Sequence, residues 1–389
     1  MTPAARVQSA IELLDLIIAA ARAQGASADR ITADWFKQRR YMGSGDRRAV
    51  RELVYAAIRI CGEIPDSGRA AMLRLAELDT LIAALFDGSH HGPAPIVADE
   101  PVAHGGIAPE WLERRLADSG IAGDDAAALL ERAPLDVRIN RLKPLGDLPL
   151  IGERAAAPDA LRFPAGTPVE QWDAYKDGRI EVQDAGSQLC CLAVHAEPGE
   201  TVLDLCAGAG GKTLALAAAM DNRGRLIASD TDRARLSRLT PRAERAGAIN
   251  VETRLLNPVR EMEALSDLAT QCDAVLVDAP CSGTGTLRRN PEARWRLTSA
   301  ELVRLTALQA RLLDLAASLV RPGGRLVYVT CSLLDEEGAG QADKFLAQHP
   351  GWSASALHLP AGRPRGPGIR LTPSLDATDG FFIACFVSP

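Results

Sequence analysis

The sequence has no long hydrophobic run, no excess of basic charge and no C-x-x-C pair. Its uncharged apolar runs, such as residues 214–220, are far shorter than the roughly 18 residues of a membrane-spanning helix. The first residues lack the charged start, apolar middle and small-residue cleavage site of a secretory signal. We therefore expect a cytoplasmic protein without a membrane segment.

The charge and cysteine content exclude two further classes of protein. The 389 residues carry a net charge of −6, which excludes a uniformly basic nucleic-acid coat. A local basic face remains compatible with RNA binding, because phosphate contacts need only a patch. The eight cysteines and six histidines show no zinc-ligand spacing, so we expect reduced thiols and no metal site.

The hydrophobic pattern divides the chain into three regions. Residues 1–130 repeat apolar positions at helical spacing and predict an all-helical domain. Residues 131–182 mix short strands and turns, which predicts a small α+β connecting region. Residues 183–389 alternate strand and helix, the pattern of an α/β domain with a mostly parallel sheet.

A glycine-rich turn follows the first strong strand of the third region. The turn lets the backbone approach a ligand, and the helix after it offers free N–H groups. Asp230 ends the next apolar strand, where an acid can bond ribose hydroxyls, although it could also cap the helix that follows. The spacing favours a nucleoside ligand without separating NAD from S-adenosyl-methionine. A first P-loop glycine is missing, which argues against ATP. The turn comprises Cys206, Ala207, Gly208, Ala209, Gly210, Gly211 and Lys212.

Two cysteines follow two later strands. Asp278 ends the strand of residues 273–278 and Cys281 comes three residues later, while Cys331 directly follows the strand of residues 325–330. Because ligands bind at the carboxyl ends of parallel strands, we expect these groups to share one crevice. A thiolate that adds to carbon 6 of cytosine makes carbon 5 able to take a methyl group. Such a base must be single-stranded or flipped out of its stack.

Several segments together resemble the Sun/RsmB-type RNA cytosine-5 methyltransferases. The likeness extends over roughly residues 135–389, and the long Asp-Ala-Pro-Cys-Ser-Gly-Thr-Gly segment is its most specific part. The chain departs from the usual pattern in two places: Gly208-Ala209 stands for Ala-Pro, and Asn257 stands for an aspartate. The matching segments are residues 204–213, Asp230, residues 278–291, residues 330–332 and residues 378–382.

The resemblance implies a class I, Rossmann-like methyltransferase domain with a seven-stranded sheet and S-adenosyl-methionine as cofactor. It implies that Cys331 is the nucleophile, that Cys281 helps to release the product, and that Asp278 and Lys212 complete the active site. The residues that would line the cofactor pocket are Cys206, Ala207, Gly208, Ala209, Gly210, Gly211, Lys212, Asp230, Asn257 and Asp278.

The helical region is similar to the NusB-like RNA-binding domain of RsmB-type enzymes. Basic residues between positions 37 and 51, with Trp35 and Tyr41 among them, suit phosphate contact and base stacking. A second basic cluster, residues 288–296 around Trp295, is also expected to contact RNA. We expect a monomer that methylates 16S rRNA. The alternatives are a transfer-RNA methyltransferase and a non-catalytic RNA-binding ribosome-assembly factor.

Overall fold

The computed structural model describes all 389 residues. The chain forms two compact units. The helical unit contains residues 1–131 together with residues 287–298, and the larger unit contains residues 132–286 and 299–389. None of the helices is long and apolar enough to span a bilayer.

The helical unit confirms the all-helical prediction for the N-terminal region. Apolar residues at helical spacing in the first helix, such as Leu13, Leu14 and Ile17, are fully buried in its core. A 3₁₀ helix, Ala128–Leu130, closes this part of the chain. The α-helices are α1 (Pro3–Arg22), α2 (Ala28–Gln38), α3 (Ser44–Ile60), α4 (Gly68–Leu78), α5 (Thr80–Ala83), α6 (Glu110–Asp118) and α7 (Asp124–Ala127).

A short 3₁₀ helix, Pro291–Trp295, belongs to the helical unit although it lies far along the chain. The Arg294 guanidinium donates to the carbonyl oxygens of Ile58 at 2.7 Å and Cys61 at 2.9 Å, at the C-terminal end of α3. A cation suits that end because its last carbonyls lack helical partners and carry partial negative charge.

The same segment also caps two other helices. Glu292 accepts from the backbone N–H of Ala28 at 2.7 Å, at the start of α2. Arg296 donates to the carbonyl oxygens of Gly25 at 3.0 Å and Ala26 at 2.6 Å, just beyond α1. Residues 291–296 therefore satisfy backbone groups at the ends of three helices.

These contacts show that the expected RNA contact by the second basic cluster is wrong for its central residues. Arg294 is 1% exposed and Trp295 is 4% exposed, so neither can meet a phosphate or a base. In the first cluster Trp35 is also buried in the core, with Arg39 stacked over its ring, whereas Tyr41 is exposed. Arg294 therefore caps a helix, and Trp295 and Trp35 pack in the core, although the basic composition of their segments had suggested contact with RNA.

The larger unit begins with a small antiparallel sheet. Its four strands are ordered β2-β3-β1-β4, and apolar side chains from Val137, Phe163 and Ile180 form its core. A 3₁₀ helix, Val169–Gln171, and a short α-helix, α8 (Asp173–Lys176), follow the third strand. The strands are β1 (Leu135–Ile139), β2 (Glu153–Arg154), β3 (Ala160–Phe163) and β4 (Ile180–Val182).

The rest of this unit is an α/β domain with a mostly parallel sheet, as predicted. Five strands run parallel in the order β7-β6-β5-β8-β9, and β13 pairs antiparallel with β9. The sheet has nine strands where seven were expected, because short strands within residues 353–371 extend its antiparallel edge. The strands are β5 (Thr201–Asp204), β6 (Arg225–Asp230), β7 (Val251–Leu255), β8 (Cys272–Asp278), β9 (Val320–Thr330), β10 (Ser353–Ser355), β11 (Arg363–Arg365), β12 (Gly368–Leu371) and β13 (Phe381–Val387).

Helices pack against this sheet. Two buried clusters of apolar side chains fill the space between the sheet and the helices. Pro241 lies in the first turn of α12, where the helix restarts after a break from α11, because proline cannot donate a backbone hydrogen bond. The helices are α9 (Ala185–Leu192), α10 (Gly211–Ala219), α11 (Arg233–Leu236), α12 (Leu239–Ala246), α13 (Met262–Leu265), α14 (Ser299–Ala317), α15 (Ala339–Gln348) and α16 (Pro373–Asp376).

Replacing the buried arginine of the capping segment tests its structural role. Arg294→Met preserves most of the side-chain volume and removes the donor to the carbonyl oxygens of Ile58, Arg59 and Cys61. We expect the helical unit to lose about 2 kcal/mol of unfolding free energy, because an unpaired buried polar group costs about 1–3 kcal/mol. The measurement is urea denaturation followed by tryptophan fluorescence.

The matched control is Arg114→Met, which removes an exposed arginine paired with Glu110 on α6. We expect a change within about 0.5 kcal/mol, because exposed ion pairs contribute little. Equal stabilities for the two variants would contradict the capping role of Arg294.

Candidate active site

The predicted glycine turn connects β5 to α10 at the carboxyl edge of the sheet. Gly210 has a φ of 85°, and a Cβ atom at this position would lie 2.0 Å from Leu239 Cδ1. Only glycine fits there without displacing the packed leucine. The backbone N–H of Gly208 donates to Asp230 Oδ2 at 2.8 Å, so the turn and the end of β6 are joined.

The other residues of the turn present mainly backbone atoms. Ala207 donates its N–H to the Ser229 carbonyl at 2.9 Å, and the carbonyl of Ala209 accepts from Arg242 at 2.6 Å. Gly211 begins α10. Burial raises the pKa of the Cys206 thiol well above its ordinary value, which makes it an uncharged packing group.

Asp230 is not the helix cap that was considered as its alternative role. Asp232 caps α11, accepting from the N–H groups of Ala234 at 2.8 Å and Arg235 at 3.0 Å. Asp230 accepts one backbone N–H on each carboxylate oxygen, from Gly208 and from Asp232. Each oxygen has a further lone pair, so the fixed carboxylate can still accept from a hydroxyl.

Asn257 stands two residues after β7 and is exposed. The preceding residue, Leu256, donates its N–H to the carbonyl of Asp230 at 2.9 Å. The two predicted cofactor residues therefore lie on adjoining strand ends.

Lys212 and Asp278 form an ion pair, with 2.6 Å between Lys212 Nζ and Asp278 Oδ2. Burial disfavours the charged lysine, but the carboxylate of Asp278 outweighs this effect, so the pKa of Lys212 lies above its ordinary value. Lys212 therefore stays an ammonium group, with the Phe381 ring centroid 5.6 Å from Nζ. It can donate hydrogen bonds and fix Asp278, but it cannot act as a base.

Asp204 is a functional candidate that the sequence reasoning did not assign. It ends β5, is fully buried, and accepts from Thr213 Oγ1 at 2.7 Å through Oδ2. Burial raises the pKa of Asp204 to about 7, and its Oδ1 atom has no hydrogen-bond partner. A buried acid with an unused oxygen beside a glycine turn suits a ligand that brings a donor. The signal was an aspartate at a strand end, where parallel α/β sheets bind ligands.

The two cysteines of the crevice are in contact. The Sγ atoms of Cys281 and Cys331 lie 3.3 Å apart, although the residues are 50 positions apart in the chain. The hydrogen bond to Cys331 and burial hold the pKa of Cys281 well above its ordinary value. Cys281 is therefore a thiol that can donate to the sulfur of Cys331.

Two backbone hydrogen bonds connect the Thr-Asp-Gly segment of residues 378–380 to the loops that carry the two cysteines. Gly285 donates its N–H to the carbonyl of Cys331 at 3.0 Å, and Gly380 donates to the carbonyl of Gly285 at 2.8 Å. A Cβ atom on Gly285 would lie 2.1 Å from the Gly380 carbonyl oxygen. Three separate loops can approach this closely only because side chains are absent at the contact.

The remaining cysteines are packing groups. Cys190 and Cys191 lie on α9 and are buried. The structure contains no cluster of three or more histidine, cysteine, aspartate or glutamate side chains arranged to hold a metal ion.

The fold and the site together define a class I methyltransferase domain. The profile of one family, described as 16S rRNA methyltransferase RsmB/F, matches residues 191–387. The chain belongs to this family.

Curated relatives agree with the family profile. The chain is 34% identical over 287 residues to ribosomal RNA small subunit methyltransferase B of Enterobacter sp. (strain 638), a match that covers 71% of this chain. The match spans 65% of that relative's length, which is slightly less than two thirds.

Solved structures support the same fold. The crystal structure of PH0851 superimposes with a TM-score of 0.78 at 26% identity, covering 99% of both chains. A methyltransferase homolog protein from Pyrococcus horikoshii superimposes with a TM-score of 0.60 at 27% identity, covering 72% of this chain and 99% of the other.

The thiol environments predict an order of chemical modification. Because the thiolate is the reactive form, we expect iodoacetamide at pH 8 to modify Cys331 before any other cysteine. The measurement is peptide mass spectrometry of partly alkylated protein. Faster labelling of Cys281 than of Cys331 would contradict the raised pKa of Cys281. Seven thiols have raised pKa values: Cys61, Cys190, Cys191, Cys206, Cys272, Cys281 and Cys385.

Proposed function

We propose that this protein is an S-adenosyl-methionine-dependent RNA methyltransferase that forms 5-methylcytosine in 16S rRNA. The observation that carries this proposal is the 3.3 Å contact between the thiols of Cys281 and Cys331 at the carboxyl edge of the sheet. Family membership supports an rRNA substrate. Paired thiols beside an acid support chemistry on a pyrimidine, because a thiolate can activate carbon 5 by adding to carbon 6.

The residues at the ends of β5 and β6 fit the proposed cofactor. The tight turn at Gly210 brings backbone N–H groups to the ligand, and Asp230 is held where it can accept from ribose hydroxyls. The unpartnered Oδ1 of Asp204 can accept from a charged amino group. Asn257 can accept from an adenine amino group through its amide oxygen. S-adenosyl-methionine supplies an electrophilic methyl group when bound.

The chemistry of the chain begins at Cys331. Its thiolate bonds to carbon 6 of cytosine, and the electron pair of the 5,6 double bond becomes available at carbon 5. Carbon 5 takes the methyl group, a base removes the carbon-5 proton, and the electrons of that C–H bond re-form the double bond as the sulfur leaves carbon 6. Asp278, fixed by Lys212, is suited to hold the base edge and stabilise the activated ring.

Cys281 is suited to the release step. Its sulfur lies beside that of Cys331, so it can participate in proton transfer where the adduct breaks down. A non-catalytic ribosome-assembly factor would have no chemical requirement for Cys331, Cys281, Asp278 and Lys212 together. The intact set therefore favours an enzyme over the binding-only alternative.

Removing the proposed nucleophile tests the enzymatic assignment. We expect wild-type protein to transfer labelled methyl groups from S-adenosyl-methionine to unmodified 16S rRNA. Cys331→Ala should reduce this transfer at least ~1000-fold, because the covalent step is lost. Cys385→Ala, at a buried cysteine on β13, is the matched control and should retain activity.

Bisulfite mapping of rRNA and transfer RNA, with and without the protein, separates the two RNA substrates. New 5-methylcytosine confined to transfer RNA would overturn the rRNA assignment. Normal methylation by Cys331→Ala would overturn the nucleophile assignment.

Removing the second thiol should trap the intermediate. We expect Cys281→Ala to attack the base and then release it slowly, so a covalent protein–RNA species accumulates. Denaturing gel electrophoresis with labelled RNA measures this species, with the double variant Cys281→Ala/Cys331→Ala as the control. A Cys281→Ala sample without a shifted band would count against its role in release.

A further inference from the structure

The mechanism above leaves one buried acid near the cysteines without a role. Glu337 lies in the loop after β9 and is fully buried. Its Oε1 atom accepts from the N–H of Ser282 at 2.9 Å and from Gln309 Nε2 at 2.9 Å, and its Oε2 atom accepts from the Ser282 hydroxyl. The groups that donate hydrogen bonds to the Glu337 carboxylate are all neutral, and no arginine or lysine forms an ion pair with it.

These hydrogen bonds hold the chain on both sides of Cys281. Ser282 directly follows Cys281, and Gln309 on α14 also donates to the carbonyl of Pro280, the residue before it, at 2.9 Å. Glu337 therefore binds Ser282 directly and is connected to Pro280 through Gln309.

Glu337 is itself fixed relative to Cys331. Its backbone carbonyl accepts from the Tyr328 hydroxyl of β9 at 2.7 Å. Ser332 is the residue after Cys331. Its hydroxyl oxygen lies 3.1 Å from the hydroxyl oxygen of Ser282. The carboxylate thus connects the loop that carries one thiol to the loop that carries the other.

We propose that Glu337 is a positioning residue that holds the Cys281 thiol against the sulfur of Cys331 and places a buried carboxylate next to the loop that carries this thiol. The meaning of this role for catalysis rests on the proposed function, in which the two thiols act in sequence. The geometric part of the proposal is independent of that function.

The charge of Glu337 also affects the Cys281 thiol. After the hydrogen bond to Cys331 and burial, the negative charge of Glu337 is a further cause that raises the pKa of Cys281. Because Glu337 is buried, little solvent screens that charge. A neutral side chain at this position should therefore let Cys281 ionise at lower pH.

Two variants separate the positions of the thiols from the charge. Glu337→Gln keeps the length and an accepting oxygen, and its amide can donate to the Ser282 hydroxyl. Glu337→Ala removes both the hydrogen bonds and the charge. Asp343→Asn, a neutralised acid exposed on α15, is the matched control.

The first readout needs no RNA. Diamide, a diazene, takes one hydrogen atom from each thiol, is reduced to a hydrazine, and leaves a Cys281–Cys331 disulfide. Mass spectrometry of the linked peptides measures the rate. We expect Glu337→Ala to form this disulfide at least ~10-fold more slowly than wild type, because displaced reacting atoms react slowly. Asp343→Asn should match the wild type.

The second readout isolates the charge. We expect the pH profile of Cys281 alkylation to shift to lower pH in Glu337→Gln, measured in a Cys331→Ala background. A side chain that merely supported the fold would not move this profile. Circular dichroism confirms folding, and if Glu337→Ala does not fold, the pH profile of Glu337→Gln alone decides the proposal.

Methylation assays connect the thiol geometry to turnover. We expect Glu337→Ala to lower kcat with little change in the KM for RNA, and to accumulate the covalent species. Wild-type disulfide rates in Glu337→Ala, or an unshifted pH profile in Glu337→Gln, would overturn the positioning role. Absence of methyl transfer by the wild-type protein would instead overturn the proposed function and leave the thiol results intact.

Discussion

The parallel pairing of β8 with β9 is the constraint on which the candidate site depends. Asp278 pairs in register with Val329, so the two strands end at nearly the same height. Cys281 follows one end and Cys331 follows the other. Parallel strands need a long crossover, and here α14 supplies most of it. The crossover explains how residues 50 positions apart bring two sulfur atoms to 3.3 Å.

Three acids at this edge of the sheet have different environments, and each environment fits a different task. Asp278 is paired with an ammonium group, whereas Asp204 is buried with an unused oxygen. Glu337 is buried among neutral donors. Burial without a counter-ion makes a charge respond strongly to its neighbours. At this one edge of the sheet, Asp278 can therefore act as a fixed carboxylate, Asp204 as an acceptor for a cationic ligand, and Glu337 as the group that positions a thiol.

The sequence was most informative where the chemistry lies on short motifs at strand ends. The parallel sheet with covering helices was predicted from alternating strands and helices, and the family resemblance carried by the Asp-Ala-Pro-Cys segment implied the methyltransferase fold. The assignment of Arg294 and Trp295 to RNA was wrong, because basic composition does not show that a distant segment caps helix ends. The contacts of Glu337 were also beyond prediction, since they depend on two loops and helix α14, which meet only in the folded chain.

Identification of the sulfur that bonds to the target base is the most direct measurement of the central claim. Fluorine at carbon 5 of cytosine cannot be removed as a proton is, so RNA that contains 5-fluorocytosine should hold the adduct after methyl transfer. Protease digestion and mass spectrometry then locate the modified peptide. The account predicts the nucleotide on Cys331. A nucleotide on Cys281, or methyl transfer to natural RNA with no adduct on the fluorinated RNA, would contradict it.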